Sequence, residues 1–420
     1  MNQNSSTDID TALPEPSRTG TPRALDRWML SLLQRGFGTA PVGFVLWDGT
    51  QSSPPEGPTA GRLLIKDRRT LAGLLLDPEL NFGEAYSSGR LDVLGDLPSL
   101  LEQTYRAWEK EGRSAHPPKR FALRRPNTLR RARENIHHHY DIGNDFYRLW
   151  LDEQMLYTCA YFPAPGESLE RAQVAKMDHV CRKLRLRPGD TVVEAGCGWG
   201  ALALHMARHY GAEVKAFNIS TEQIRYGRER ARAEGLEGRV QFIEDDYRNI
   251  RGRFDVFVSV GMLEHVGKEK YAALREVIDR CLRQDGGRGL LHFIGRDRVR
   301  PLNAWIRRRI FPGAYPPTLR EALEAILEPG GLSVLDVENL RLHYARTLEH
   351  WQERFEGAVE QIRAMFGEPF VRAWRLYLAG SQAAFTTGWM QLFQVVFAHT
   401  GDNDVAWTRD HVYGARSPSG

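Results

Sequence analysis

Residues 190–200 read DTVVEAGCGWG, an apolar run that reaches Glu194 and then continues into three glycines spaced GxGxG. The run is typical of a buried strand, and glycines directly after a strand let the backbone turn sharply and approach a ligand closely. The dinucleotide-binding pattern is GxGxxG, and it expects an acidic residue at the end of the next strand, where this chain has Asn218. The stretch therefore favours a nucleotide cofactor that has no pyrophosphate.

Strand and helix patterns alternate on the carboxyl side of this stretch. Helices are predicted at 200–211, which ends at a glycine, at 220–235, which begins with a Ser or Thr cap, and at 268–282. Strands are predicted from apolar runs at 212–218, 239–246, 254–261 and 287–295. The alternation predicts an α/β fold, with helices on both faces of a parallel sheet. In this setting the acid-x-GxGxG pattern indicates S-adenosylmethionine (SAM), with Glu194 near its amino-acid end; a turn without a ligand is the alternative.

The residues at the other strand ends are candidates for the site, because ligands of parallel sheets bind at the carboxyl ends of the strands. Asp246 can accept a hydrogen bond from an adenine amino group, and Tyr247 can lie beside the ring. Glu264 and His265 follow the next strand, and His292 lies in the strand after that. An enzyme that methylates amino groups of bases typically has an Asn or Asp, two prolines and an aromatic at this point. Their absence argues against nucleic acid as the acceptor.

Composition divides the chain into segments and limits its class. The 420 residues, 42% of them hydrophobic, are enough for two or three domains, and no run of about 18 apolar residues predicts a membrane span. No secretory signal is predicted, and four scattered cysteines predict a reduced cytosolic protein with neither disulfides nor a metal site. The predicted segments are a disordered tail (1–22), a small α+β domain (23–110), a basic linker (111–135), a larger domain (136–400) and a C-terminal tail (401–420).

Residues 119–133, KRFALRRPNTLRRAR, hold seven basic residues and no acidic one. A base-stacking RNA surface is a weak interpretation, because Phe121 is the only aromatic in the stretch. The mixture of basic and apolar residues suits an anionic membrane surface, and the same mixture recurs in 304–311, AWIRRRIF. A solvated linker between domains is the alternative for residues 119–133.

Several motifs resemble the cyclopropane-fatty-acid synthase family, which includes the mycolic acid cyclopropane synthases. They are HYDIGNDFYRLWL (139–151), YTCAYF (157–162), EAGCGWG (194–200), SVGMLEHVG (259–267), LLHFIG (290–295) and WIRRRIFPG (305–313). The resemblance runs from about residue 136 to 397, and residues 81–97 resemble the extra domain of the bacterial phospholipid-acting members. It implies a Rossmann-like class I SAM-dependent methyltransferase domain, with a mostly parallel seven-stranded sheet, beside the smaller α+β N-terminal domain.

The family resemblance implies transfer of a methylene group from SAM to the cis double bond of unsaturated phospholipid acyl chains, with bound bicarbonate as the base. The implied bicarbonate ligands are Cys159, Glu264, His292, Tyr344 and the backbone of Ile294. The implied SAM contacts are Tyr157, Thr158, Glu194, Gly196, Cys197, Gly198, Trp199, Gly200, Asn218, Ile219, Gln223, Asp246 and Tyr247. Aromatic faces can stabilise a carbocation, and the candidates for this role are Tyr161, Phe162, Tyr315 and Trp351. The bacterial members also suggest a homodimer on the inner face of the cell membrane.

Four residues depart from the commoner family pattern, namely Thr158 for Ser, Glu194 for Asp, Asn218 for Thr and Leu263 for Phe. The first three changes are chemically mild, whereas Leu263 could alter the acceptor pocket. Loss of a proton from another carbon would give an alkene instead of a ring, so a methyl- or methylene-branched product is the alternative. A lipid-binding protein without turnover is a non-enzymatic alternative. His137, His138 and His139 receive no metal role, because consecutive side chains do not readily converge on one ion.

Overall fold

The computed structural model describes residues 21–52, 59–112, 142–327 and 331–413. The basic stretch 119–133, the three consecutive histidines, and residues 1–20 and 414–420 of the two predicted tails lie outside the described residues. Contacts divide the chain into two units, the first formed mainly by its N-terminal part and the second by the predicted methyltransferase region. No described helix is long and apolar enough to cross a membrane.

The described N-terminal part of the chain, up to residue 112, contains a small sheet and four helices, as the α+β prediction requires. Its strands are β1 (Val42–Leu46), β2 (Gln51–Ser52), β3 (Gly61–Ile65) and β4 (Leu91–Leu94), in the spatial order β2-β1-β3-β4. Its helices are α1 (Ala24–Phe37), α2 (Arg68–Leu76), α3 (Pro78–Ser87) and α4 (Leu97–Lys110). Asp67, Asp77 and Asp96 cap α2, α3 and α4 by accepting a backbone N–H of the first turn, which satisfies donors that a helix leaves unpaired.

The second unit is built on a seven-stranded sheet. Its strands are β5 (Thr191–Ala195), β6 (Glu213–Asn218), β7 (Val240–Glu244), β8 (Val256–Val260), β9 (Arg288–Gly295), β10 (Leu332–Asn339) and β11 (Gln391–His399). The spatial order is β10-β11-β9-β8-β5-β6-β7, and only the β10-β11 and β11-β9 pairs are antiparallel. The predicted class I methyltransferase fold, with its mostly parallel seven-stranded sheet, is confirmed.

Helices cover both faces of this sheet. The helices described after residue 142 are, in chain order, α5 (Asn144–Arg148), α6 (Leu169–Lys183), α7 (Ala201–Tyr210), α8 (Thr221–Ala233), α9 (Leu263–Val266), α10 (Tyr271–Cys281), α11 (Ala304–Arg309), α12 (Leu319–Ala322), α13 (Arg341–Gly357), α14 (Val359–Phe366), α15 (Glu368–Thr387) and α16 (Asp410–Tyr413). Of these, α14 and α15 group with the N-terminal unit and do not belong to the unit of this sheet. Short 3₁₀ turns lie at Tyr247–Asn249 and Lys268–Lys270, and a π-helical turn lies at Leu323–Leu327. Successive residues of β5, Val192 and Val193, belong to separate buried clusters because strand side chains alternate between faces.

One part of the predicted division differs from the structure. Residues 136–400 were expected to form one domain, but Asn303–Trp305 and Val359–Thr387 group with the N-terminal unit. The reason is that α15 packs against α3 and α4 and buries Val371, Trp374 and Leu378 on one helical stripe. Helical periodicity predicts such an apolar stripe, but it does not say which unit the stripe will cover.

We expect Gly289→Ala to destabilise the sheet. A Cβ atom at Gly289 of β9 would lie 2.1 Å from the Phe397 ring of the neighbouring β11, and overpacking of a core typically costs about 1–3 kcal/mol. Gly238→Ala is the matched control, because Gly238 is exposed and has no heavy atom within 4 Å of the added carbon. Urea unfolding measures both variants, and equal midpoints would contradict the packing at Gly289.

Candidate active site

The glycine-rich turn after β5 has the backbone shape that its sequence predicts. Gly196, Gly198 and Gly200 have φ values of 84°, 53° and 88°, which side chains other than glycine rarely adopt. The N–H groups of Gly196 and Cys197 donate to the Phe217 carbonyl at 2.9 and 3.0 Å, so the turn is joined to the end of β6. A Cβ atom at Gly200 would lie 2.3 Å from the Phe242 ring. The GxGxG spacing is therefore required by both conformation and packing.

A cleft opens at the carboxyl ends of the parallel strands, beside this turn. Its empty space is about 810 Å³ when the solvent at its open mouth is included. It is lined by Met155, Leu156, Tyr157, Thr158, Lys176, Glu194, Gly196, Cys197, Gly198, Trp199, Ala201, Leu202, Asn218, Gln223, Val260, Gly261, Met262 and His265. The structure thus brings together most of the residues that sequence reasoning assigned to SAM.

Side-chain hydrogen bonds connect the glycine-rich turn to the segment that joins β6 to α8 and to α5. The Asn218 amide donates to the Gln223 side chain at 2.7 Å and to the Gly198 carbonyl at 3.2 Å. The Trp199 indole N–H donates to the Asn144 side chain at 2.7 Å, which connects the turn to α5. Glu194 is buried, and its Oε2 atom has no partner in the part of the chain that is described. Burial raises the pKa of Glu194 to about 8.

Four of the predicted SAM contacts do not line the cleft, namely Gly200, Ile219, Asp246 and Tyr247. The Asp246 carboxylate accepts two hydrogen bonds from the Arg248 guanidinium, at 2.7 and 2.8 Å, and one from the Arg248 backbone N–H at 2.9 Å. These bonds satisfy the carboxylate locally. The Tyr247 hydroxyl is buried, and burial raises its pKa. The adenine contacts of these two residues stay predictions.

A second group of polar side chains is buried where β8 and β9 end. Glu264 on α9 is only 4% exposed and accepts a hydrogen bond from the Ile294 backbone N–H, while its Oε2 atom is buried without a partner among the described residues. Burial raises the pKa of Glu264 to about 7, and the backbone N–H groups oppose the rise. The carboxyl can therefore carry or release a proton near neutral pH.

One ring nitrogen of His292 has a hydrogen-bond partner, and the other is buried without a partner among the described residues. Gln394 lies opposite His292 in the antiparallel pair of β11 with β9, and its amide nitrogen is 3.1 Å from Nδ1. With that amide as the donor, Nδ1 accepts and the ring proton sits on Nε2, which has no partner within the described ranges. Burial, assisted by the charge of Lys176, holds the pKa of His292 well below its ordinary value, so the ring is neutral.

Gly261 connects the cleft to this second group. Its N–H donates to the His292 carbonyl at 2.8 Å. A Cβ atom at Gly261 would lie 3.2 Å from the Thr158 methyl carbon and 3.9 Å from Glu264 Oε1. The cleft wall and the Glu264 carboxylate are therefore separated by little more than one glycine.

The Cys159 thiol and the Tyr344 backbone N–H both lie near one carbonyl group, that of Leu340, at the start of α13. The Cys159 thiol is fully buried, 3.1 Å from the Ala160 carbonyl and 3.9 Å from the Leu340 carbonyl, and the Tyr344 N–H donates to that same Leu340 carbonyl. Burial raises the pKa of Cys159, which keeps it a thiol rather than a thiolate nucleophile. Its donation to a bound anion stays a prediction.

The aromatic residues group differently from the prediction. Trp351 lies 5.2 Å from the ring of the cleft residue Tyr157, and the two rings also meet Trp150, which the sequence reasoning missed. Tyr161 instead stacks between His179 and His343, and Phe162 stacks on His343 and His350. The guanidinium of the buried Arg296 lies over the Tyr315 ring, 5.2 Å from its centre. Of the four candidates for stabilising a cation, only Trp351 joins the aromatic group at the cleft.

A family model described as mycolic acid cyclopropane synthetase matches residues 127–395. The chain belongs to this family. A second model, described as a domain of unknown function, matches residues 29–115, which lie in the N-terminal unit.

Relatives of the cyclopropane synthetase family match most of the chain. It is 40% identical to a probable fatty acid methyltransferase of Pseudomonas putida, over 89% of this chain and 96% of the relative. It is 35% identical to the cyclopropane-fatty-acyl-phospholipid synthase of Escherichia coli K12, over 84% and 92%. The solved mycolic acid cyclopropane synthase CmaA1, complexed with SAH and CTAB, aligns with a TM-score of 0.60 and 30% identity, over 63% of this chain and 97% of that one. The family is one of SAM-dependent methyltransferases.

We expect Glu264→Gln to stabilise the protein at pH 8 but not at pH 4. The pKa of Glu264 is about 7 in the folded protein against an ordinary value of 4.5, so the folded state binds more protons in this window and stability falls as pH rises through it. The gain at pH 8 is at most about 3 kcal/mol. Chemical denaturation at both pH values measures it, with the exposed Glu229→Gln as control. A gain that does not depend on pH would contradict the burial of an ionisable Glu264.

Proposed function

We propose that the protein is a cyclopropane fatty acid synthase, which transfers a methylene group from SAM to the cis double bond of unsaturated phospholipid acyl chains. The observation that carries the proposal is a buried polar pair: Glu264 Oε2 and His292 Nε2 are buried near the carboxyl ends of β8 and β9, and neither has a hydrogen-bond partner among the described residues. A lipid-binding protein without turnover has no need for two such polar atoms in an apolar core, because each costs free energy when it is left unpaired. The relative named cyclopropane-fatty-acyl-phospholipid synthase supports the same reaction.

The cleft residues fit SAM. When bound, SAM supplies a methyl group on a sulfonium. Gly196 and Gly198 allow the backbone to approach the cofactor closely, and the unpaired Glu194 Oε2 is an acceptor for its amino group. Gln223, held by Asn218, lines the same wall and offers an amide to the amino-acid end.

The buried polar pair fits bicarbonate. When bound, bicarbonate supplies a base for the proton that leaves the transferred carbon. His292 Nε2–H would donate to it, and Cys159, Tyr344 and the Ile294 backbone complete the proposed ligands. Glu264 is compatible with an anion because its pKa of about 7 lets it hold a shared proton at neutral pH.

The aromatic group explains how the protein tolerates a weakly nucleophilic alkene as the acceptor. Positive charge develops on the acyl chain after methyl transfer, and aromatic faces stabilise a cation without reacting with it. Tyr157 lines the cleft and contacts Trp150 and Trp351, both fully buried. These rings also exclude water, which would otherwise trap the cation as an alcohol.

A second candidate product is a methyl- or methylene-branched chain. The observation that favours it is the 40% identity to a relative named as a probable fatty acid methyltransferase. Leu263, which replaces the family's commoner Phe, is buried and directly precedes Glu264, so it can reshape the acceptor pocket beside the base. Loss of a proton from a different carbon would then leave an alkene instead of a ring.

The proposed substrate lies in a membrane, so we propose a cytoplasmic protein that binds the anionic inner face of the cell membrane peripherally, as a homodimer and without nucleic acid. Helix α11 supports this, because Arg307, Arg308 and Arg309 are exposed while Trp305 is buried. Replacement of the three arginines with Gln should weaken binding to vesicles that contain anionic lipid, as measured by cosedimentation. Unchanged binding would mean that α11 is only a solvated surface.

Lipid analysis of a bacterial host that expresses the chain tests the reaction. We expect unsaturated phospholipids to gain the mass of one CH₂, with loss of olefinic signals in the NMR spectrum of the extracted lipid. Glu264→Gln should reduce the product by at least about a hundredfold, because it weakens the hold on the anion that acts as the base, and a positioned base usually contributes about that much. Glu229→Gln is the exposed control. Unchanged acyl chains with the folded wild-type chain would contradict the proposal, and a mass gain with retained olefin would establish the branched product.

Cys159→Ser should keep substantial activity. A serine hydroxyl can donate a hydrogen bond in the place where the buried thiol donates, whereas a nucleophilic role would require the thiolate. Initial rates of SAM-dependent methylation with purified protein measure the effect. Complete loss of activity in a Cys159→Ser variant that binds SAM normally would instead support a nucleophilic role for Cys159.

A further inference from the structure

Lys176 is a buried cation at the junction of the two parts of the site, and no sequence motif singled it out. It lies on α6, is 1% exposed, and lines the cleft. Its ammonium donates to the Thr158 hydroxyl at 2.8 Å. Lysine is almost never fully buried without a partner, and here the hydrogen-bond partner is a neutral hydroxyl. The charge of Lys176 is therefore not neutralised by a direct ion pair.

Charged and titratable groups face Lys176 from several elements. Asp152 lies just before the cleft residues 155–158, and Cys159 directly follows them. Glu194 lies near the end of β5, and His292 lies on β9. The positive charge lowers the pKa of Glu194 and Cys159 against the effect of burial, and it also lowers the pKa of His292. Burial lowers the pKa of Lys176 itself to about 8, so the ammonium form predominates at neutral pH. One charge thus acts on Glu194 in the cofactor cleft and on His292 of the buried polar pair.

The charge balance of the proposed bicarbonate site requires a cation. Glu264 and a bound anion would place two acidic groups in one buried space, beside a neutral His292, and an uncompensated buried charge is costly. Lys183 also acts on His292, but its ammonium is 2.5 Å from the Glu338 carboxylate and is neutralised there. Lys176 has no such ion pair among the described residues. Its charge acts on both Cys159 and His292, which are two of the proposed ligands, so it can compensate the anion.

We propose that Lys176 is a positioning residue with two roles: its hydrogen bond fixes Thr158 in the wall of the cofactor cleft, and its positive charge favours the binding of an anion beside Cys159 and His292. The inference rests on the proposed function, because the anion is the base of that reaction. It adds a residue outside the implied ligand set, and it explains how an acidic side chain and an anion can share a dry pocket.

Gln173 provides a matched control one turn earlier on the same helix. Its side-chain amide donates to the Thr158 carbonyl at 2.9 Å and to the Leu156 carbonyl at 3.3 Å, so it supports the same segment without carrying a charge. Gln173→Met removes support of the segment, whereas Lys176→Gln removes the charge and keeps a donor for Thr158. Lys176→Arg keeps the charge.

The test is the shift of the thermal unfolding midpoint by bicarbonate, measured on the full chain in the presence of S-adenosylhomocysteine. Binding to the folded state raises the midpoint, so this readout does not depend on turnover. We expect bicarbonate to raise the wild-type midpoint, Lys176→Gln to need at least about tenfold more bicarbonate for the same rise, and Lys176→Arg and Gln173→Met to stay within about threefold of the wild type. Chloride at equal ionic strength is the control.

Calorimetric titration with S-adenosylhomocysteine tests the other role. Lys176→Gln should bind within about threefold of the wild type, because a donor to Thr158 remains, whereas Lys176→Met should bind at least about tenfold more weakly. Equal bicarbonate responses of the wild type and Lys176→Gln would overturn the charge role. A Gln173→Met response as weak as that of Lys176→Gln would also overturn it, because loss of support for the segment that contains Thr158 would then explain both variants. Should Lys176→Met fail to fold, Lys176→Gln and Lys176→Arg decide the charge role. A wild type that binds bicarbonate but leaves acyl chains unchanged would defeat the proposed function alone.

Discussion

Burial of ionisable side chains at one edge of the sheet is the constraint on which the site depends. Strands β9, β8 and β5 are neighbours, and their carboxyl ends bring His292, Glu264 and Glu194 to the same dry region. Burial disfavours the charged form of each, so the pKa values of the two glutamates rise to about 7 and about 8 while that of the histidine falls. The raised pKa values of the glutamates lower the stability as pH rises towards about 8, whereas the lowered pKa of His292 lowers the stability under acidic conditions. The same shifts produce carboxyl groups that can share and release protons near neutral pH.

The segment that contains residues 155–162 joins the two parts of the site. Its Tyr157 and Thr158 line the cofactor cleft, whereas Cys159 and Ala160 turn into the core, where the Ala160 N–H donates to the Thr347 hydroxyl of α13 at 3.0 Å. Lys176 supports the segment from α6 and Gly261 packs against it from the end of β8. Because the same few residues form the wall of both parts, a shift in this segment would disturb cofactor binding and proton removal together.

Most of the fold and the cleft could be predicted from the sequence, because the signals are local. The turn at 196–200 requires glycine for its φ values, and the end of α7 at Gly211 follows from a left-handed residue after an apolar helix. Residues that depend on tertiary packing could not be predicted in this way. The cation that covers Tyr315 comes from a different element, and α15 packs on the N-terminal unit although its sequence lies inside the methyltransferase region. The buried position of Lys176 had a weak signal, since it falls on the apolar face of α6 with Ala172 and Val180.

The central claim is that Glu264 and His292 hold an anion that acts as the base. The most direct measurement is the initial rate of SAM-dependent methylation of unsaturated phospholipid vesicles by the purified chain, in buffer depleted of carbon dioxide and then titrated with bicarbonate. The account predicts a low rate in depleted buffer and a saturable rise as bicarbonate is added. A full rate in depleted buffer that does not change on addition would contradict it.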